Sequence, residues 1–234
     1  MAAGPNPVIL DLGCGTGSTV RALVPFLARP AQWRLVDNDA ELLELAGAAA
    51  GDAASVHKQD LLDLDMLPLE GVTLVTASAL LDLVSRQWLV DLASRVRVPV
   101  YFALSYNGVM NWSPSDLSDE AVTKAFNAHQ LTDKGFGKAL GPSSTETARE
   151  IFAAAGFDVQ VSDSTWRLGV GDEKLQRELV SGIALAALEA GEPSAKTWGL
   201  ARTAAAAQSS CSIGHDDIFA IPKSEVAEVS DGAR

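Results

Sequence analysis

Apolar residues along this chain come in short runs that end in polar or acidic residues, and most runs are followed by a stretch with helical spacing. Val8-Ile9-Leu10 leads into Asp11-Leu12, Trp33-Arg34-Leu35-Val36 into Asp37-Asn38-Asp39, and Val56-His57-Lys58 into Gln59-Asp60-Leu61-Leu62-Asp63. Gly71 to Ser78 and Val98 to Tyr106 are two further runs. Runs this short and apolar predict strands covered on both faces, as in a parallel sheet. Helical patterns over Ser18–Arg29, Ala40–Ala50 and Ser85–Val96 alternate with them, the first interrupted at Pro25 and Pro30. Further on, Thr145–Ala155 reads as an amphipathic helix closed by Gly156, Phe157–Trp166 as a sixth strand, Glu173–Ala190 and Ser194–Gln208 as helices, and Cys211–Pro222 as the last strand. The alternation predicts an α/β fold: a doubly wound, mostly parallel seven-stranded sheet with helices on both faces and helical insertions after strands five and six. Residues 1–234 are expected to form a single domain, with one insertion over 107–144 and another over 171–209; the polar residues past Lys223 read as a frayed end.

Composition narrows the class. Of 234 residues, 47% are hydrophobic, enough for one α/β domain with a sizeable core, and no run approaches the ~20 apolar residues of a bilayer span. Met1 to Pro7 lack the charged and apolar parts of a signal peptide, so a soluble, cytoplasmic protein is expected, with no membrane partner. A net charge of -12 and the lack of a basic stripe argue against a nucleic-acid partner, whose phosphates are gripped by Lys and Arg. Cys14 and Cys211 are too few for a disulfide framework, and no metal-ligand spacing is present.

The chemistry concentrates at the first strand. Asp11-Leu12-Gly13-Cys14-Gly15-Thr16-Gly17 joins that strand to the first helix by a glycine loop. A dinucleotide site calls for a third glycine where Ser18 stands, and no Gly-Lys-Ser/Thr follows for a phosphate-cradling loop. A carboxylate at the strand end would repel a pyrophosphate and suits a cationic ligand. Asp11-x-Gly13-x-Gly15-x-Gly17 resembles the first motif of class I S-adenosylmethionine-dependent methyltransferases. Ala148 to Val159, with its Ala-Gly-Phe turn, resembles a late segment of the same family.

The resemblance covers Pro7 to Val161 and the last strand, and it implies S-adenosylmethionine as the cofactor, with S-adenosylhomocysteine as product. Asp11, Gly13, Cys14, Gly15, Thr16 and Gly17 would serve the amino-acid part of the ligand. Asp37, with Asn38 beside it, sits about twenty residues past the glycines, where such folds hold a ribose; Asp39 could exchange roles with it or cap the next helix. Asp60 and Leu61 match the segment that meets the adenine, unless Asp60 only decorates a surface turn. Ser78 leads into Ala79-Leu80-Leu81-Asp82, the stretch facing donor and acceptor, where Asp82 either contacts the acceptor or caps the helix. The family's Asn/Asp-Pro-Pro-aromatic signature is absent there, which weakens a nucleobase acceptor, and Thr73 replaces a frequent acidic residue. Only seven residues precede Val8, so either the lid or a partner chain is expected to replace the helix that often precedes the first strand in the family, or the sequence is shortened at this end.

Asn107 to Ser144 is longer than a simple crossover, holding a helix over Asp116–His129 between the aromatic turns Met110–Pro114 and Lys134–Gly137. It is expected to be a lid and acceptor pocket lined by Tyr106, Asn107, Trp112, Asp133 and Phe136. Asp82, His129 and His215 are candidate bases by residue type alone, His215 being more simply a structural histidine. The expected activity is methyl transfer to the oxygen or nitrogen of a small-molecule acceptor, with a homodimer left open. A non-catalytic protein or subunit that binds the same cofactor is the alternative, and a protein methyltransferase ranks below it.

Overall fold

The computed structural model of the chain describes residues 6–223, so the expected frayed end past Lys223 lies outside the described residues. Five strands pair in parallel, β1 (Val8–Leu12), β2 (Gln32–Asp37), β3 (Ala54–Lys58), β4 (Leu74–Ser78) and β5 (Val100–Ser113). Beyond β5 the sheet continues with β8 (Ser210–Pro222) and β6 (Phe157–Asp163), β8 running antiparallel to both neighbours. The order is β3-β2-β1-β4-β5-β8-β6. β1 has neighbours on both edges and, Asp11 apart, is apolar. The sheet has eight strands rather than the expected seven, because Ser164 and Thr165 end β6 and the chain restarts as β7 (Trp166–Leu168) on the outer part of β8.

Helices cover both faces. On one, α1 (Ser18–Leu23) and α2 (Ala40–Ala50) pack on Ile9, Trp33, Leu35 and Leu74. On the other, α3 (Arg86–Arg95) and α5 (Ser144–Ala154) cover Leu10, Leu12, Val75 and Phe102, with Phe152 edge-on to Phe102. Pro25 ends α1 early, in a 3₁₀ turn over Val24–Phe26.

The stretch after β5 differs most from expectation. Met110–Ser113 is not a turn but the outer half of a 14-residue strand, with Met110 opposite Ile213 and Trp112 opposite Cys211. Its alternation is broken by register shifts between Phe102 and Ser105 and between Tyr106 and Met110. At the second shift the Asn107 side chain occupies the space over Gly214, where an added Cβ would lie 2.1 Å from Asn107 Oδ1. The outer arms of β5 and β8, with β7, carry α4 (Asp119–Gln130), α6 (Glu173–Glu189) and α7 (Ala195–Ala205). The two insertions thus share a second core of Tyr106, Trp112, Val122, Val180, Ile183, Trp198 and Ile213. They form one cap beyond the ends of β5 and β8. Its seam is a buried ion pair: Arg202 bonds both oxygens of Asp119 at 2.6 and 2.7 Å, and Trp198 donates to the same carboxylate at 2.7 Å.

Candidate cofactor and acceptor site

The site forms at the carboxyl ends of β1, β2 and β4, where a doubly wound sheet leaves a crevice. Gly13, Gly15 and Gly17 all have positive φ, and their surroundings divide the work. Nothing lies within 4 Å of where a Gly15 Cβ would be, so a ligand can lie on that backbone. Gly17 faces inward instead: a Cβ there would meet Ala46 Cα at 3.1 Å, so this glycine lets α1 start against α2. Thr16, between them, is exposed and its carbonyl accepts from Arg21.

Three aspartates stand at the ends of β1 and β2, of which Asp37 touches the loop. Asp11 is fully buried; Thr76 donates to its Oδ1 at 2.8 Å, while Oδ2 has no partner and is sealed from solvent. Burial, chiefly, and the nearby Asp37 charge push its pKa up to about 7, against the hydrogen bond from Thr76. Asp37 accepts the Gly15 N–H at 2.9 Å through one oxygen and the Asp39 N–H at 3.1 Å through the other. Asp39 caps α2 by accepting from Glu41 and Leu42, leaving the loop contact to Asp37. Asn38 is exposed beside them. The thiol of Cys14 is pushed up to about 12 by burial and then by the Asp11 and Asp37 charges, so it is an inert filler.

Asp60 is exposed in a turn after β3, where its Oδ1 accepts the Leu62 N–H. Leu61 turns inward: its side chain and that of Leu80 come within 3.7 to 3.8 Å of the Cβ position of Gly13. The Trp88 indole donates to the Leu61 carbonyl at 2.7 Å, and Phe136 packs edge-on to Trp88 at 5.7 Å. Ser78 ends β4, and Ala79 after it has a φ of 51°, with its N–H bonded to Ala103 of β5. Leu104 is the other non-glycine residue at positive φ among those described, held by Asp217, which accepts its N–H. Backbone strain therefore concentrates where the end of β4 adjoins the interior of β5. The sequence carried no signal for Leu104 or Asp217, because the strain comes from pairing with β8.

The lid residues separate into several groups. Asp82 is 9% exposed, and burial pushes its carboxyl up to about 6. Tyr106 is buried, donates to Asn127 at 2.8 Å and lies edge-on to Phe126 and His215; burial and the Asp82 charge hold its phenol well above the ordinary range. Asn107 donates to Asp216. Trp112 lies in the cap core against Trp198 and Arg202, and not in a lining position over the glycine loop, because the strand that carries it continues outward. Asp133 accepts from Gly135 and Gly137, shaping the turn that brings Phe136 to Trp88.

The two histidines are engaged elsewhere. His129 is in contact with Glu189 through Nε2 and with Lys134 through Nδ1, which occupies both ring nitrogens. His215 donates from Nδ1 to the Ile213 carbonyl and packs 5.0 Å from Trp166, and burial lowers its pKa. Among the described residues no group of three His, Cys, Asp or Glu could hold a metal ion, and no helix is long and apolar enough to cross a membrane.

Residues 9–98, which include the glycine loop, Asp37, Asp60 and Asp82, match the sequence profile of a family described as "Methyltransferase domain". No curated protein matches the chain. Among solved structures it is similar to the YcgJ protein of Bacillus subtilis, at TM-score 0.54 and 14% identity over 93% of this chain and 92% of that one. It is also similar to geranyl diphosphate C-methyltransferase of Streptomyces coelicolor, at TM-score 0.51 and 16% identity over 94% and 72%; that enzyme was solved with Mg2+, geranyl diphosphate and S-adenosyl-L-homocysteine. The profile match thus covers residues 9–98, and the chain as a whole has a class I methyltransferase-like, Rossmann-like α/β fold.

Proposed function

We propose that the chain binds S-adenosylmethionine on the glycine loop and transfers its methyl group to a small molecule received between the end of β4 and the cap. The observation that carries this is the Gly15 backbone, open to a ligand and flanked by the Asp37 carboxylate and the buried, unpartnered Oδ2 of Asp11. A negative pocket of this kind favours a ligand with a sulfonium and an ammonium over one with a pyrophosphate.

Asp37 is assigned to the ribose hydroxyls and Leu61, with Asp60, to the adenine. Gly13 and Gly15 would approach the amino-acid part, while Asp11 acts from beneath, held in place by Thr76 of β4. The bound cofactor supplies an electrophilic methyl group, so the protein's task is alignment and exclusion of water. Phe136 on Trp88, and Leu80 beside Gly13, provide apolar walls for that purpose. Neither His129 nor His215 is assigned a base role, given the contacts they already make.

Incubation with methyl-labelled S-adenosylmethionine and a whole-cell extract tests the acceptor class. Label in the small-molecule fraction is the expected result; label confined to protein would contradict the small acceptor.

A further inference from the structure

We infer that the acceptor is an amine, held and deprotonated at Asp82; the inference rests on the methyltransferase reading above. Two contacts locate this residue between the cofactor loop and the stretch that returns from the cap. Leu80, two residues earlier, lies against Gly13. The Asp82 carbonyl accepts the Gly141 N–H at 2.9 Å, from the segment returning out of the lid. After burial, the Asp82 charge is what raises the phenol of Tyr106, which sits at the base of the outer arm of β5.

Asp82 differs from the other sheltered carboxylates of the chain. Asp119 is matched by Arg202 and Trp198, and Asp217 by the Tyr101 hydroxyl and the Leu104 N–H. Asp11 is matched on one oxygen and has no exposure. Asp82 is open to solvent by 9%, and its own backbone N–H is what favours its charge; no Lys, Arg or His of the described residues does so. The Tyr106 hydroxyl, the neighbouring donor, is committed to Asn127. A buried anion kept without a counter-ion is costly unless a ligand brings the opposite charge. A protonated amine brings it. A carboxylate or phosphate acceptor would be repelled at the same place.

The reaction balances with these groups. The bound ammonium first passes a proton to the Asp82 carboxylate, freeing the nitrogen lone pair. That lone pair forms the new N–C bond as the C–S bond breaks, the bonding electrons passing to sulfur. The methylated ammonium leaves, and Asp82 returns its proton to water, so one proton is released per turnover.

The test uses the full chain with S-adenosylmethionine and three panels of small compounds: primary and secondary amines, alcohols with phenols, and carboxylic acids. S-adenosylhomocysteine release is expected with amines alone, and Asp82→Asn should lower it by about 100-fold. Calorimetry should show that Asp82→Asn keeps its affinity for S-adenosylhomocysteine, which also shows that it folds. An accepted amine should bind the wild-type complex with S-adenosylhomocysteine but not the Asp82→Asn complex. Turnover with alcohols or acids, amine turnover that survives Asp82→Asn, or refusal of every amine by a chain that binds S-adenosylhomocysteine would overturn the inference. Failure of the wild type to bind S-adenosylhomocysteine would overturn the methyltransferase reading instead.

Discussion

The Asp37 carboxylate at the end of β2 accepts the N–H of Gly15 at 2.9 Å, across 22 residues of sequence. One side chain therefore shapes the glycine loop and stands where the ribose is assigned. Asp37→Ala should weaken S-adenosylhomocysteine binding by about 10- to 100-fold while costing about 1 kcal/mol of stability. Asp37→Asn, which keeps an acceptor for Gly15, should recover the stability and only part of the affinity. Calorimetry and urea unfolding of both variants check this; unchanged affinity in Asp37→Ala would remove the ribose assignment.

Gly15 and Gly17 should fail in different ways. Gly17→Ala forces a Cβ to 3.1 Å from the Ala46 backbone at a φ of 80°, so it should lose roughly 1 to 3 kcal/mol of folding stability. Gly15→Ala meets no neighbour and bears only the strain of a φ of 52°. Its main effect should be lost ligand affinity, since the new methyl group occupies the approach to the backbone. Melting curves with and without S-adenosylhomocysteine separate the two: the ligand-induced shift should persist in Gly17→Ala and vanish in Gly15→Ala.

Asp11 makes the ligand-free protein sensitive to pH. Its pKa is raised from 3.8 unfolded to about 7 folded, so the folded state binds the extra proton. The stability this proton contributes is fully present below pH 3.8 and is lost as pH rises towards 7. Asp82, raised to about 6, acts in the same direction. Asp11→Asn should therefore be more stable than the wild type at pH 8 and show a flatter stability profile between pH 4 and 7. A profile equally steep in variant and wild type would contradict the burial argument.

The parallel half of the sheet was legible because its signals are local. Buried strands such as Val8–Leu12 are apolar but for the acid near the end, and the glycine loop has a spacing of its own. The Asp39 cap was likewise within reach of sequence, since capping is decided over three residues. What escaped depended on distant partners. Met110 and Trp112 looked like a turn because the register shift at Asn107 to Val109 breaks their period, and only the pairing with Ile213 and Cys211 makes them a strand. The same pairing moves Trp112 into the cap core. His129 looked available as a base because Glu189, which engages it, lies 60 residues away.

The cap should depend on its buried ion pair. Asp119→Ala would leave the Arg202 guanidinium, with a side chain 6% exposed, without its carboxylate. The expected loss is about 3 to 5 kcal/mol. Tryptophan fluorescence in urea, which reports Trp112 and Trp198 at this seam, should show the transition at clearly lower denaturant. A change within about 0.5 kcal/mol, the size of an ordinary surface substitution, would count against the seam as the cap's anchor.

The central claim is that the glycine loop binds a sulfonium nucleoside rather than a dinucleotide, and calorimetry of the purified chain with S-adenosylmethionine, S-adenosylhomocysteine and NAD tests it most directly. The account predicts micromolar binding of the first two and no heat with NAD. Binding of NAD, or of none of the three, would contradict it.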